Sequence, residues 1–316
     1  MSLGIQGLHH VTATVSDAAS DMAFYTGLLG LRLVKKTVNF DNPGVYHLYY
    51  GNGVGSPSTL MTTFPYAGQG VRPGVRGAGQ ITVTSFSVPS GSLPFWKERL
   101  ESRRVPYRMP PLRFGAGALE VDDPSGLQIE LREAGHDARP PWTGGGVPAE
   151  AAVRGIHSVA LSVRKSEPSI RFVTALLGGR VVDMEGHRTL ISLGKGGAGA
   201  TLEILEDTEA PNGVNGLGTV HHVALSVPDA EAQLQAREKI GILVPSVTPV
   251  RDRQYFTSIY FREPGGILYE VATQGPGFLV DESLETLGQA LQLPPWEEEN
   301  RSAIEARLPP LSPEAS

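Results

Sequence analysis

One pattern of alternating apolar and polar positions recurs four times along the chain. LHHVTATVSD at 8–17, ITVTSFSVPS at 81–90, IHSVALSVRK at 156–165 and VHHVALSVPD at 220–229 each show the two-residue period of a half-buried strand. Laid over one another, the segments put His10, Val83, Ser158 and His222 at one position, with His9, Thr82, His157 and His221 just before it. A stretch with helical spacing follows each strand. In the first, Asp17 is a plausible N-cap, Phe24 and Leu28 share a face at i, i+4, and Gly30 is the stop. The others are LPFWKERLESRRVPY at 93–107, PSIRFVTALLGGRVV at 168–182, stopped by Gly178 and Gly179, and EAQLQAREKIGI at 231–242. Each copy closes on short strands. DDPSGLQIELRE and REPGGILYEVAT align Glu130 with Glu270; ATLEILED supplies Glu203, and Thr63 stands at that place in the first copy.

This pattern predicts an α+β fold of four βαβββ modules, at 6–66, 80–134, 154–206 and 218–274, paired into two β-cups. In chain order this gives an N-terminal domain over 1–134, a Gly- and Pro-rich linker over 135–153, a C-terminal domain over 154–278 and a helical tail over 279–316. ESLETLGQALQ and PWEEENRSAIEARL both read as tail helices, the second with Pro295 in its first turn.

Composition narrows the chemistry. The 316 residues include no cysteine, which removes disulfides, thiol nucleophiles and thiolate metal ligands. The formal charge of −6, without a basic run, argues against nucleic acid and anionic membrane as partners. The apolar stretches are too short for a membrane span, and MSLGIQGLHHVTA lacks the form of a secretion signal, so a cytoplasmic location is the default expectation. The oligomeric state is left open, a homo-oligomer included.

The four copies can be compared with one another. A curved module closes a cup only against another module, and only modules one and four carry an imidazole at the second-His position. Module one should therefore pair with module four and bring together His10, His222 and Glu270. Modules two and three, with Val83 and Ser158 at that position, should form a metal-free, empty cup. Strand alternation places His10, Thr12 and Thr14 on one face and His9, Val11 and Val15 on the other. The rival set of His157, His222 and Glu270, from pairing modules three and four, is out of step by one residue, which turns a side chain to the opposite face. Two imidazoles and a carboxylate leave about three positions for water, substrate and O2, the pattern of non-haem Fe(II) oxygenases. Mn(II), Co(II) and Zn(II) also suit the set.

Four such modules with these ligands resemble the vicinal oxygen chelate superfamily of glyoxalases, bleomycin-resistance proteins and extradiol dioxygenases. GLHHVTA, GLRLVKKTVNFDNPGVYHLYYG, GSPSTLMTTFP, GTVHHVAL, RDRQYFTSIYFREPGGILYEVAT and the LPPW tail are more closely similar to the ring-cleaving dioxygenases that act on hydroquinones. The resemblance spans nearly the whole chain. It implies an Fe(II) enzyme of extradiol type that inserts O2 into an aromatic diol, with His10, His222 and Glu270 as ligands. It further implies supporting roles for His9, Thr12, His221, Arg253 and Tyr260. Tyr260 would hydrogen-bond the bound oxygen, His9 or His221 would act as acid/base with a pKa suited to neutral pH, and Arg253 would hold the substrate anion. Against this stand plain packing for Tyr260 and pairing of Arg253 with Asp252 or Glu263. Tyr46, His47, Tyr49 and Tyr50 are expected in the core and cup wall. Two other functions compete: a glyoxalase-type metal-dependent isomerase, which needs a fourth ligand where Thr63 stands, and a non-catalytic small-molecule binding protein, which would not need the ligand set.

Overall fold

The computed structural model describes residues 3–311. Module one runs β1 (Gly7–Val15), α1 (Ala18–Met22), β2 (Arg32–Asn39), β3 (Asn42–Gly51) and β4 (Leu60–Pro65). Module two runs β5 (Gln80–Val88), α2 (Leu93–Ser102), β6 (Tyr107–Arg108), β7 (Ala118–Asp122) and β8 (Gln128–Glu133). Module three runs β9 (Gly155–Val163), α3 (Ser166–Ala175), β10 (Arg180–Glu185), β11 (Arg188–Ser192) and β12 (Thr201–Glu206). Module four runs β13 (Thr219–Val227), α4 (Ala230–Leu243), β14 (Arg251–Asp252), β15 (Thr257–Arg262) and β16 (Leu268–Thr273).

The helices form where the spacing requires. The Asp17 side chain caps α1 by accepting from the Ser20 N–H. The helix then widens into a π turn over Ala23–Leu28, in which the Leu29 N–H reaches the Phe24 carbonyl at 3.0 Å. Gly30 ends it at φ +73°, where a Cβ would strike Val147. α2 buries Leu93, Trp96 and Leu100 at i, i+3 and i+7, each such side chain worth about 1.5–3 kcal/mol. α4 buries Gln233 on the equivalent stripe, and its amide donates to the carbonyls of Thr257 and Val271 at 2.7 and 2.8 Å.

The strands assemble into two eight-stranded sheets, ordered β14-β15-β16-β13-β1-β4-β3-β2 and β10-β11-β12-β9-β5-β8-β7-β6. Module one pairs with module four and module two with module three, as the repeat comparison predicts. Each sheet thus takes one module from either half of the chain. Within a module the first and last strands run parallel; between modules the two first strands run antiparallel.

One expectation about these first strands fails. Along β1 and β13 the register slips between Leu8 and His10 and again between Thr12 and Ala13, opposite His222 and Val220. His9 and His221 are the extra residues of two symmetric β-bulges. A bulge breaks the two-residue period and re-aims a side chain. His9 therefore does not turn to the face opposite His10; it lies against it. β5 and β9 carry the same slips at Thr82 and His157, so the device belongs to the module and not to the metal ligands.

The tail departs from expectation too. No helix forms over ESLETLGQALQ, and the second tail helix is confined to Arg301–Glu305 after a 3-10 turn at Glu298–Asn300. Tertiary contacts override helical propensity here. The fully buried Lys35 amine draws the carboxylates of Asp281, at 2.6 Å, and Glu282. Gly288 adopts φ +77° with its backbone pressed on Leu33, Leu287 enters the core, and the Gln292 N–H donates to the Lys36 carbonyl at 2.9 Å. The tail is a strap across β2. Among the described residues no helix is long and apolar enough to cross a membrane.

Candidate metal centre and cavity

The cup of the first sheet converges on His10, His222 and Glu270, which come from β1, β13 and β16. His10 Nε2 lies 3.3 Å from His222 Nε2. Glu270 Oε2 is 2.9 Å from His222 Nε2 and 3.5 Å from His10 Nε2. All three residues are buried, and their ligating atoms lie within 4.8 Å of one another. The rival set with His157 does not form, because β9 pairs with β5 in the other sheet.

The bulges explain how the inner imidazoles are held. His9 Nδ1 meets His10 Nδ1 at 2.8 Å, and His221 Nδ1 meets His222 Nδ1 at 2.7 Å. His9 also bonds the Thr273 backbone through its ring. With that N–H spent on the carbonyl, its Nδ1 accepts the Nδ1–H of His10. His10 Nε2, His222 Nε2 and the Glu270 carboxylate then converge on one buried point. Two imidazole nitrogens and a carboxylate oxygen gathered in one buried place form a donor set that fits a divalent metal, and the outer imidazoles orient the ligand rings. Burial, reinforced by the neighbouring His10 or His222, pushes His9 and His221 down to about 3. The expectation that either titrates near neutral pH is therefore corrected: both are neutral orienting groups. Burial also lowers His222. It pushes the Glu270 carboxyl up, but the imidazoles of His10 and His222 more than reverse this and hold it well below the usual carboxylate range. The other Glu270 oxygen accepts from the Ser258 hydroxyl.

A cavity of about 260 Å³ opens beside the ligands. Phe40, Tyr49, Phe64 and Phe256 supply aromatic wall, and His221, Arg253 and Tyr260 supply polar groups. Arg253 Nε donates to the Tyr260 hydroxyl at 3.1 Å, and its NH2 pairs with Asp41 at 3.0 Å rather than with Asp252 or Glu263. Burial first, then the charge of Glu270, raises Tyr260 above the ordinary phenol range, so it stays protonated. Thr12 lies outside the cavity lining. Its hydroxyl meets that of Thr62 at 2.8 Å, and Thr62 meets His47 Nε2 at 2.9 Å. The Tyr49 hydroxyl holds His47 Nδ1 at 2.9 Å. His47 and Tyr49 form cup wall, as expected, while Tyr46 and Tyr50 pack in the core.

Register corrects one further assignment. Glu270 pairs with Ala224, two residues past His222; the residue paired two past His10, opposite Thr12, is Thr62. Thr62, not Thr63, is the counterpart of Glu270. Thr63 instead donates to the buried Asp21 carboxylate at 2.6 Å. The same relation maps His47 onto Ser258 and Tyr49 onto Tyr260. Sequence reading missed Ser258, although it sits two residues before Tyr260 on one strand face. It missed His47 and Thr62 as a pair, and nothing in the sequence marks Asp41.

The cup of the second sheet is occupied in part rather than empty, with a cavity of about 420 Å³ left beside Arg132, His157, Leu190 and Ser192. Arg113 enters it and pairs with Glu130 at 2.6 Å and Glu203 at 3.5 Å. Ser85 donates to Glu130 at 2.9 Å, and Arg188 pairs with Glu203. His157 Nδ1 meets Ser158 Oγ at 3.0 Å, repeating the bulge contact without an imidazole ligand.

Paired βαβββ modules around a His, His, Glu centre define the class. The chain belongs to the Glyoxalase/Bleomycin resistance protein/Dioxygenase superfamily, which matches residues 7–131 and 155–271. Its relatives include the Bacillus subtilis (strain 168) protein named "Putative ring-cleaving dioxygenase MhqO", 43% identical over 310 residues that cover 98% of each chain. The "Chlorohydroquinone/hydroquinone 1,2-dioxygenase" of Sphingobium indicum is 37% identical over 297 residues, covering 92% of each. The crystal structure of a "putative dioxygenase" from Bacillus subtilis subsp. subtilis str. 168 superposes with a TM-score of 0.93 at 42% identity, covering 98% of both chains. Glyoxalase I from Zea mays shares the fold alone, with a TM-score of 0.63 at 16% identity over 85% of this chain and 92% of that one.

Proposed function

We propose that this protein is an Fe(II)-dependent ring-cleaving dioxygenase that inserts O2 into a hydroquinone-type aromatic diol. One observation carries the reading. The fourth place of the pseudo-symmetric centre holds Thr62, tied to Thr12 and His47, so three protein ligands face the cavity and the remaining positions are left to small molecules. A glyoxalase-type isomerase would want a carboxylate there. The names of the relatives point the same way.

His10, His222 and Glu270 would hold the metal, which supplies a binding site for a deprotonated ring hydroxyl and for O2 and a path for electrons between them. The protein's own groups do the rest. At about 260 Å³ the cavity is below the 300–1,000 Å³ typical of drug-sized ligands and suits a single ring. Phe64, Phe256 and Tyr49 offer faces and edges to that ring. The Tyr260 oxygen accepts from Arg253 Nε, which leaves its own O–H proton free to turn into the cavity. Its raised pKa keeps that proton available at neutral pH. His221 is neutral, with one nitrogen on His222 and the other free to hydrogen-bond a substrate hydroxyl. Ser258 and His9 hold Glu270 and His10 in place from behind.

The test is anaerobic loading with Fe(II), followed by O2 uptake with hydroquinone and with catechol. Uptake of one O2 per hydroquinone with loss of the aromatic absorbance is the expected result. An iron-loaded protein that consumes no O2 with either diol would overturn the reading.

A further inference from the structure

We propose that Asp41 is a charge filter: it pairs with Arg253 at the rim of the cavity and so selects hydroquinones without an anionic ring substituent. The inference rests on the hydroquinone reading above and adds which members of that class are admitted.

Asp41 lies in the turn between β2 and β3, in module one, whereas Arg253 follows β14 in module four. Both line the cavity. Arg253 is largely buried and carries two engagements: Nε on the Tyr260 hydroxyl and NH2 on Asp41 Oδ2 at 3.0 Å. Arg251 NH1 approaches the other Asp41 oxygen at 3.4 Å. The Asp41 N–H donates to Asn39 Oδ1 at 2.9 Å, which sets the turn, and neighbouring Phe40 rests edge-on against Trp296 at 5.5 Å. Asp41 is 60% exposed while Arg253 is 16% exposed, so the carboxylate sits at the rim with the guanidinium inside.

A guanidinium in a cavity is the natural partner of a carboxylate on a substrate. Here one terminal nitrogen is already taken by a carboxylate of the protein itself. An incoming ring carboxylate must displace Asp41 or sit beside it, and like charges at that distance repel. A neutral hydroquinone meets neither cost. Discrimination by a built-in repulsive group is a common source of specificity. Without Asp41, Arg253 would line the cavity without its carboxylate partner, Arg251 would lose its own contact close by, and the rim would attract anions.

The test compares hydroquinone with 2,5-dihydroxybenzoate, the same diol bearing one carboxylate, on the Fe(II)-loaded protein. The quantity read is the ratio of kcat/KM for the carboxylate to that for hydroquinone. Wild type should favour hydroquinone at least tenfold. Asp41→Asn should raise the ratio about tenfold or more, chiefly through KM of the carboxylate, and Asp41→Glu should bring it back towards wild type. An unchanged or lower ratio in Asp41→Asn, or the same rise in Asp41→Glu, overturns the proposal. Anaerobic calorimetry of the two ligands on the same metal-loaded proteins reads the ratio of Kd values without turnover. A protein that shifts its binding ratio yet consumes no O2 would keep the charge filter and sink the dioxygenase reading.

Discussion

The two sheets are built on one plan and filled differently. Both are eight-stranded, both join two modules through antiparallel first strands, and both carry the same pair of bulges. Both bring a glutamate from a last strand into the cup. In the first sheet Glu270 meets two imidazoles. In the second, Glu130 and Glu203 meet Arg113. The fold delivers an acid and a bulged position to the cup floor. The side chain after each bulge then decides whether the acid becomes a metal ligand or half of a buried ion pair. A carboxylate in that place needs a cation either way, because an unpaired buried charge is costly.

Removal of a metal ligand should have the largest effect. His222→Ala or Glu270→Ala should abolish metal binding at micromolar Fe(II) and leave no O2 uptake above background, with the second sheet intact by circular dichroism. Removing the cation from the other cup comes next. Arg113→Met leaves Glu130 short of its strongest partner, and breaking a buried pair of this kind costs about 3–5 kcal/mol. Urea unfolding should show that loss while metal content stays at the wild-type level. Ser258→Ala removes the hydrogen bond that holds the second oxygen of Glu270. Outer groups of this kind are worth about 10–100-fold in metal affinity or activity, so a Ser258→Ala protein within twofold of wild type in both would contradict its role.

Acid gives the smallest effect and separates the sheets by charge. Burial first lowers His9 and His221 to about 3 and His157 to about 4, and also lowers His47 and His222. A depressed imidazole binds fewer protons folded than unfolded, so its contribution falls as pH drops below about 6.5. Asp21 and Asp123 are raised by burial to about 7 and about 6 and act in the opposite direction. Five imidazoles against two carboxyls give a net loss. The metal-free protein should melt at a lower temperature at pH 5 than at pH 7. Four of the five imidazoles belong to the first sheet, so amide exchange should rise in β1 and β13 before β5 and β9.

The repeats made much of this legible. Four tandem copies allowed the chain to be compared with itself, and the distribution of His10, Val83, Ser158 and His222 sufficed to pair the modules across 212 residues. What stayed hidden has physical causes. A β-bulge shifts register by one residue, and strict alternation cannot anticipate it; alternation therefore puts His9 on the wrong face, and aligning the last strands by sequence selects Thr63 where register selects Thr62. Arg113 and Asp41 lie outside the repeated motif, on loops whose direction only the assembled sheets determine. The tail helix over ESLETLGQALQ was a fair reading of local propensity, undone by a buried lysine some 250 residues earlier that requires Glu282 for itself.

Metal stoichiometry distinguishes one centre from two, or from none. Titration of the metal-free protein with Fe(II) under argon, read by elemental analysis after desalting, should give one ion per chain for wild type and for Arg113→Met, and none for Glu270→Ala. Two ions per wild-type chain, or one ion retained by Glu270→Ala, would contradict a single centre built where modules one and four meet.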